Sequence, residues 1–141
     1  MKFSRAALAT LLLVVLLGFA PAKPAAAQEV YVCNTGISGP AKAVLGFGLY
    51  YARGGGSIWC DQALITTIIV TISGAGATGE EGDAVTGTYA FARAEAFCTP
   101  GELPWRVSLA GEGKNIGSTG YGIDSQSGTL DCTLIIQPPQ P

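Results

Sequence analysis

The chain contains no histidine, and that absence removes most of the chemistry a small protein could do. A Ser-His-Asp or Cys-His nucleophilic site is excluded, as is any metal site built on imidazole. Carboxylates are the remaining source of acid–base catalysis. Glu95, Glu102, Glu112, Asp124 and Asp131 are candidates for the acid and base of a glycoside hydrolysis, but nothing in their spacing brings two of them together. Glu80, Glu81 and Asp83 read as an exposed acidic turn and lack the ligand ladder of a calcium loop. Gly54-Gly55-Gly56 runs into Ser57-Ile58 without a lysine, so it is no phosphate cradle. No catalytic residue, metal or cofactor is assigned.

The four cysteines, Cys33, Cys60, Cys98 and Cys132, are even in number, widely spaced and form no Cys-x-x-Cys pair. In a small exported domain they read as two disulfides, which also removes any thiolate nucleophile. Sequential pairing, Cys33 with Cys60 and Cys98 with Cys132, is favoured. The nested pairing stays open, because a hairpin register that sets Ser73 against Val85 would also set Cys60 against Cys98.

Aromatic residues carry the binding alternative. Tyr51, Arg53, Trp105, Arg106 and Tyr121 lie beside turns and combine ring faces with polar groups, a pattern suited to a sugar ring or a protein partner. Trp59 adjoins Cys60 and is expected in the core, packed on a disulfide. Trp105 has a core reading too, but it is kept among the candidates.

These residues must be positioned by strands. Ala63–Ser73 is the longest β-forming run, with no charge, glycine or proline inside it. Side chains alternate across a strand, so Leu64, Thr66, Ile68, Val70 and Ile72 should face a core while Ile65, Thr67, Ile69 and Thr71 face a half-wet surface. Glu29–Cys33, Val44–Ala52, Trp105–Ala110 and Thr129–Ile136 read as further strands. Ala90–Phe97 has helix formers but strict alternation, so a strand is favoured, paired in a hairpin with the Ala63–Ser73 run and carrying Tyr89, Phe91 and Phe97 on one face. Arg53–Ser57, Gly74–Ala84 and Thr99–Pro104 read as loops or turns, and Gly111–Gly128 as a polar stretch with one short strand.

The N-terminus reads as an address. Lys2 and Arg5 precede an apolar run over Ala6–Ala20, and Ala25-Ala26-Ala27 offers a small-residue cleavage site before Gln28. Lys2, Arg5 and Lys23 fall inside that segment, so five of the eight basic residues remain against all ten acidic ones, a net charge of about −5. Such a chain is a poor partner for nucleic acid or an anionic membrane.

The expectation is therefore an all-β fold: an antiparallel β-sandwich, immunoglobulin-like or a small barrel, of about seven strands and stapled by two disulfides. It would span 28–136, between a cleaved signal peptide over 1–27 and a Pro-rich tail over 137–141. The function expected is that of a secreted, non-enzymatic, monomeric binding protein, extracellular or periplasmic and free of the membrane once cleaved. Its partner would be a protein, a cell-surface polymer or a small ligand. The alternatives are an inhibitor presenting Thr99–Trp105 to an extracellular hydrolase and, more remotely, a carboxylate-based hydrolase.

Overall fold

The structure is a computed structural model that describes residues 27–133. The expected signal peptide up to Ala26, the tail and residues 134–136 of the last expected strand lie outside the described residues. Eight strands form two sheets: β1 (Glu29–Val32), β2 (Asn34–Gly46), β3 (Leu49–Trp59), β4 (Ile65–Gly74), β5 (Ala77–Thr86), β6 (Tyr89–Phe97), β7 (Glu102–Asn115) and β8 (Ser118–Asp131). The larger sheet has the order β1-β8-β7-β4-β5, the smaller β2-β3-β6, and their inner faces pack together. All pairings are antiparallel except that of β1 with β8. No helix occurs among the described residues.

β4 behaves as its pattern dictates. Thr66, Ile68, Val70 and Ile72 are buried, whereas Ile65 and Ile69 stay about half exposed on the outer face. Leu64 precedes the strand and is exposed. From the neighbouring strand β7, Trp105, Val107 and Leu109 join the same inner layer.

The opposing sheet supplies almost no bulk. Its inward residues are Ala52, Gly54, Gly56 and Ile58 on β3 and Ala90, Ala92, Ala94 and Ala96 on β6. The two layers interlock by size. A β-carbon on Gly54 would stand 2.4 Å from Val107 Cγ2, and one on Gly56 would stand 2.4 Å from Leu109 Cδ1. At the other end Ile58 projects the opposite way, into the space above Gly111 and Gly122. Close packing of this kind leaves no room for a larger residue without displacement.

That interlock overturns several expectations. Arg53–Ser57 is not a loop but the middle of β3, with Gly54 and Gly56 required by the large side chains across the interface. Gly74–Ala84 is not a connection, since β4 turns through Ala75-Gly76 straight into β5. The chain over Tyr89–Phe97 is a strand as favoured, but it pairs with β3 and not with β4. Gly111–Gly128 holds the ends of two long paired strands joined at Ile116-Gly117. Val44–Ala52 is split by a hairpin turn at Phe47-Gly48.

The disulfides are Cys33–Cys60, with Cα atoms 4.6 Å apart, and Cys98–Cys132, at 6.0 Å. The nested pairing fails because its register does not form: Ser73 pairs with Thr78, and Cys60 and Cys98 end up at opposite ends of the β3–β6 ladder.

Candidate functional site: the outer face of the small sheet

Filling the interior with alanine and glycine sends the large residues of the same strands outward. Along β6 the outward set is Tyr89, Phe91, Arg93, Glu95 and Phe97, and along β3 it is Tyr51, Arg53, Gly55, Ser57 and Trp59. Cross-strand pairing aligns them in rows, Trp59 beside Tyr89, Ser57 beside Phe91, Gly55 beside Arg93, Arg53 beside Glu95 and Tyr51 beside Phe97. Trp59 is 53% exposed, and Tyr89, Phe91 and Phe97 are exposed to a similar degree. With residues on one face of a strand about 6.7 Å apart, the platform runs roughly 27 Å from Trp59 to Tyr51.

The third strand of this sheet, β2, sets Asn34 beside Trp59 and otherwise contributes only small groups to the face: Gly36, Ser38, Ala41 and Ala43. A trough results, made of two adjoining hollows that share Ser38. One, of about 280 Å³, lies against Gly36, Ser57, Tyr89 and Phe91. The other, of about 150 Å³, is lined by Ser38, Gly39, Ala41, Arg53, Gly55 and Arg93. A bulge in β2 between Ser38 and Ala41 bends the edge strand beside the second hollow. Gly39 there has φ +93°, and a side chain on it would meet the carbonyl oxygen of Arg53 at 2.8 Å. Bulges beside binding sites commonly re-aim an edge strand in this way.

Polar contacts fix part of the platform. Arg53 Nε donates to Glu95 Oε1 at 2.8 Å, and Arg53 Nη2 donates to the Tyr51 hydroxyl at 2.5 Å. The Phe91 ring lies over Gly55, and the Arg93 guanidinium sits 5.7 Å from the centre of that ring.

The structure brings Tyr51 and Arg53 together on this face but separates the other residues chosen from the sequence. Trp105 is 1% exposed, with its indole N–H unpartnered inside the core. Arg106 and Tyr121 belong to the outer face of the larger sheet, where Arg106 Nη2 donates to Ser125 Oγ at 2.9 Å. Trp59, expected in the core, is on the surface. Sequence reading placed Tyr89, Phe91 and Phe97 on one face of their strand, as the structure has them, but missed Trp59, Arg93 and Glu95 as their neighbours on that face. The signal that finds them is the unbroken alanine series at even positions of β6, beside Gly54 and Gly56 of β3.

The larger sheet carries a depression of about 560 Å³ lined by Thr67, Ile69, Gly82, Ala110, Glu112 and Tyr121, among others. It has one aromatic side chain, and its Glu112 carboxylate is taken by Lys114 Nζ at 2.7 Å. That contact raises the Lys114 pKa, through the hydrogen bond first and the charge of Glu112 second.

For carboxylate chemistry the arrangement is unhelpful. Glu95 is on one sheet and Glu112 on the other, while Glu102 and Asp131 are cross-strand neighbours on an exposed ladder. Asp131 Oδ1 accepts hydrogen bonds from the Thr133 hydroxyl at 2.5 Å and the Thr133 N–H at 2.9 Å. These bonds hold its pKa below the ordinary 3.8, the opposite of what a general acid needs. Among the described residues there is no cluster of three or more His, Cys, Asp or Glu side chains fit to hold a metal.

Comparison with known proteins adds little. No family model matches the chain, and no curated protein matches it. Among solved structures, a protein from Archaeoglobus fulgidus resembles it with a TM-score of 0.39 and 9% identity, over 72% of this chain and 98% of that one. A likeness that slight does not bear on function.

Proposed function

We propose that this protein is an exported, non-enzymatic binding module whose small-sheet face holds an extended chain of sugar rings at a cell surface. The observation that carries the reading is five aromatic residues, Trp59, Tyr89, Phe91, Tyr51 and Phe97, turned outward on one sheet beside a trough of glycine and serine. Monomeric proteins rarely leave large apolar patches uncovered, and such patches mark interaction sites. Aromatic faces stack on the C–H faces of pyranose rings, and the phenol and indole edges add hydrogen bonds. Side chains held on strands need little ordering when a ligand arrives, which lowers the cost of binding. The trough is open at the surface, whereas a small ligand usually calls for a pocket that encloses most of it. A polymer fits better. Two intramolecular disulfides agree with an oxidising, extracytoplasmic setting.

The inhibitor alternative draws less support. Only Cys98–Gly101 lies between β6 and β7, and Gly101 O accepts from Cys132 N at 3.0 Å. That leaves a short segment to enter a hydrolase cleft. Retention on an array of polysaccharides and exported proteins, with wild type and a W59S/F91S/F97S variant, tests the proposal. The polysaccharides that retain wild type should release the variant while its melting temperature stays close to wild type. Equal retention of both proteins would overturn the assignment of this face.

A further inference from the structure

We infer that the sugar rings bound on this face carry acidic groups, which Arg93 and Arg53 receive. The inference rests on the saccharide reading above and concerns the smaller of the two hollows. That hollow is lined by two guanidinium-bearing residues and otherwise by Ser38, Gly39, Ala41 and Gly55, with no carboxylate in its lining. The chain from Ala27 on has five basic and ten acidic residues, yet this face holds two of the bases and only Glu95 of the acids. The local sign is thus opposite to that of the protein as a whole.

The two arginines differ in what they have left to offer. Arg53 is positioned by Glu95 and Tyr51, which occupy its Nε and Nη2. Arg93 has no carboxylate within ion-pair distance among the described residues, and its guanidinium rests near the Phe91 ring. A guanidinium in this setting offers the paired N–H groups that match a carboxylate or sulfate. Geometry joins this hollow to the aromatic one. Both include Ser38, and Phe91 and Arg93 are same-face neighbours on β6, about 6.7 Å apart. A pyranose stacked on Phe91 therefore presents an exocyclic acidic group at Arg93, and the next ring continues over Tyr89 and Trp59. Uronate and sulfate ester share this chemistry.

The test is calorimetric titration, at low salt, of the wild-type protein with oligogalacturonate and with sulfated galactan oligomers. Each is compared with its own neutral form, methyl-esterified or desulfated, and inorganic sulfate is titrated alone. Acidic oligomers should bind at least about tenfold more tightly than their neutral forms. R93Q should remove most of that difference, and R106Q, on the other sheet, should behave as wild type. F91S should weaken acidic and neutral forms alike. A preference for only one of the two acidic oligomers supports the inference and identifies the acid. Equal affinity for acidic and neutral oligomers, both lost in F91S, would overturn the inference and leave the saccharide face standing. No binding by any oligomer, or binding of sulfate alone, would overturn the inference, and binding indifferent to F91S would overturn both.

Discussion

Gly54 of β3 and Val107 of β7 meet across the sandwich so closely that a β-carbon on the glycine would stand 2.4 Å from Val107 Cγ2 and 2.7 Å from Cγ1. The contact explains both halves of the molecule. Inside, it lets a sheet of alanine and glycine settle on a sheet of Trp105, Val107, Leu109, Val70 and Ile72. Outside, it obliges the bulky residues of the same strands to face solvent, which creates the aromatic platform.

The contact yields a direct stability test. G54A should destabilise the fold by roughly 1–3 kcal/mol, the usual cost of overfilling a packed core. V107A should cost less than a Val deletion elsewhere in the core when it is combined with G54A, because each change makes room for the other. Urea unfolding of the two single variants and the double variant measures the coupling. Additive losses would mean that the layers do not interlock at this point.

The β4–β5 turn can be improved. Ala75 and Gly76 both have positive φ, 50° and 78°, in a two-residue link between Gly74 and Ala77. This geometry favours asparagine followed by glycine, since an alanine side chain is strained there. A75N should raise stability by about 1 kcal/mol without changing the slope of denaturant unfolding.

Each bridge should matter to a similar degree. Sequence separations of 27 and 34 residues correspond to about 3.5–4 kcal/mol of loop entropy per disulfide. The C33A/C60A and C98A/C132A variants should each lose stability of that order in chemical denaturation. Peptide mapping without reduction should recover Cys33 linked to Cys60 and Cys98 linked to Cys132.

Asp131 gives a pH signature. Its folded pKa is below the ordinary 3.8 because Thr133 donates two hydrogen bonds to the carboxylate, with a smaller contribution from the Lys42 charge. A depressed carboxylate pKa stabilises the fold above the unfolded value, and that contribution is lost as pH falls through the folded one. T133A should move the Asp131 titration, followed by NMR, up toward the ordinary value. It should also flatten the fall in stability with acid below about pH 3.8. An unchanged titration would mean that the Thr133 hydroxyl does not set it.

How much of this was legible in the sequence depends on what each signal measures. The β4 parity was readable because Ile68, Val70 and Ile72 are buried for their own bulk. The cysteine pairing was only half readable: the sequential arrangement was favoured, but the nested one fell only when Tyr89–Phe97 paired with β3 and not with β4. The aromatic face was hidden by the same rule that located β4. Size usually marks the inside, yet on β3 and β6 the facing sheet already fills the core, so Ala92 and Gly56 turn inward and Phe91 and Trp59 turn outward. Only knowledge of both sheets reverses the assignment. The Gly54–Gly56 run resembles a loop for the same reason, since Gly54 and Gly56 answer side chains more than 50 residues away in sequence, Val107 and Leu109. The β4–β5 hairpin escaped notice because Ala75-Gly76 lacks the usual asparagine or aspartate.

The two tryptophans offer the most direct test of the proposed binding face, because Trp59 stands on it and Trp105 is sealed in the core. Protein labelled with 5-fluorotryptophan gives two ¹⁹F resonances, assigned with W59F. Titration with each polysaccharide that the array retains should shift or broaden the Trp59 signal and leave Trp105 in place. A polysaccharide that binds while Trp59 stays unmoved would contradict the account.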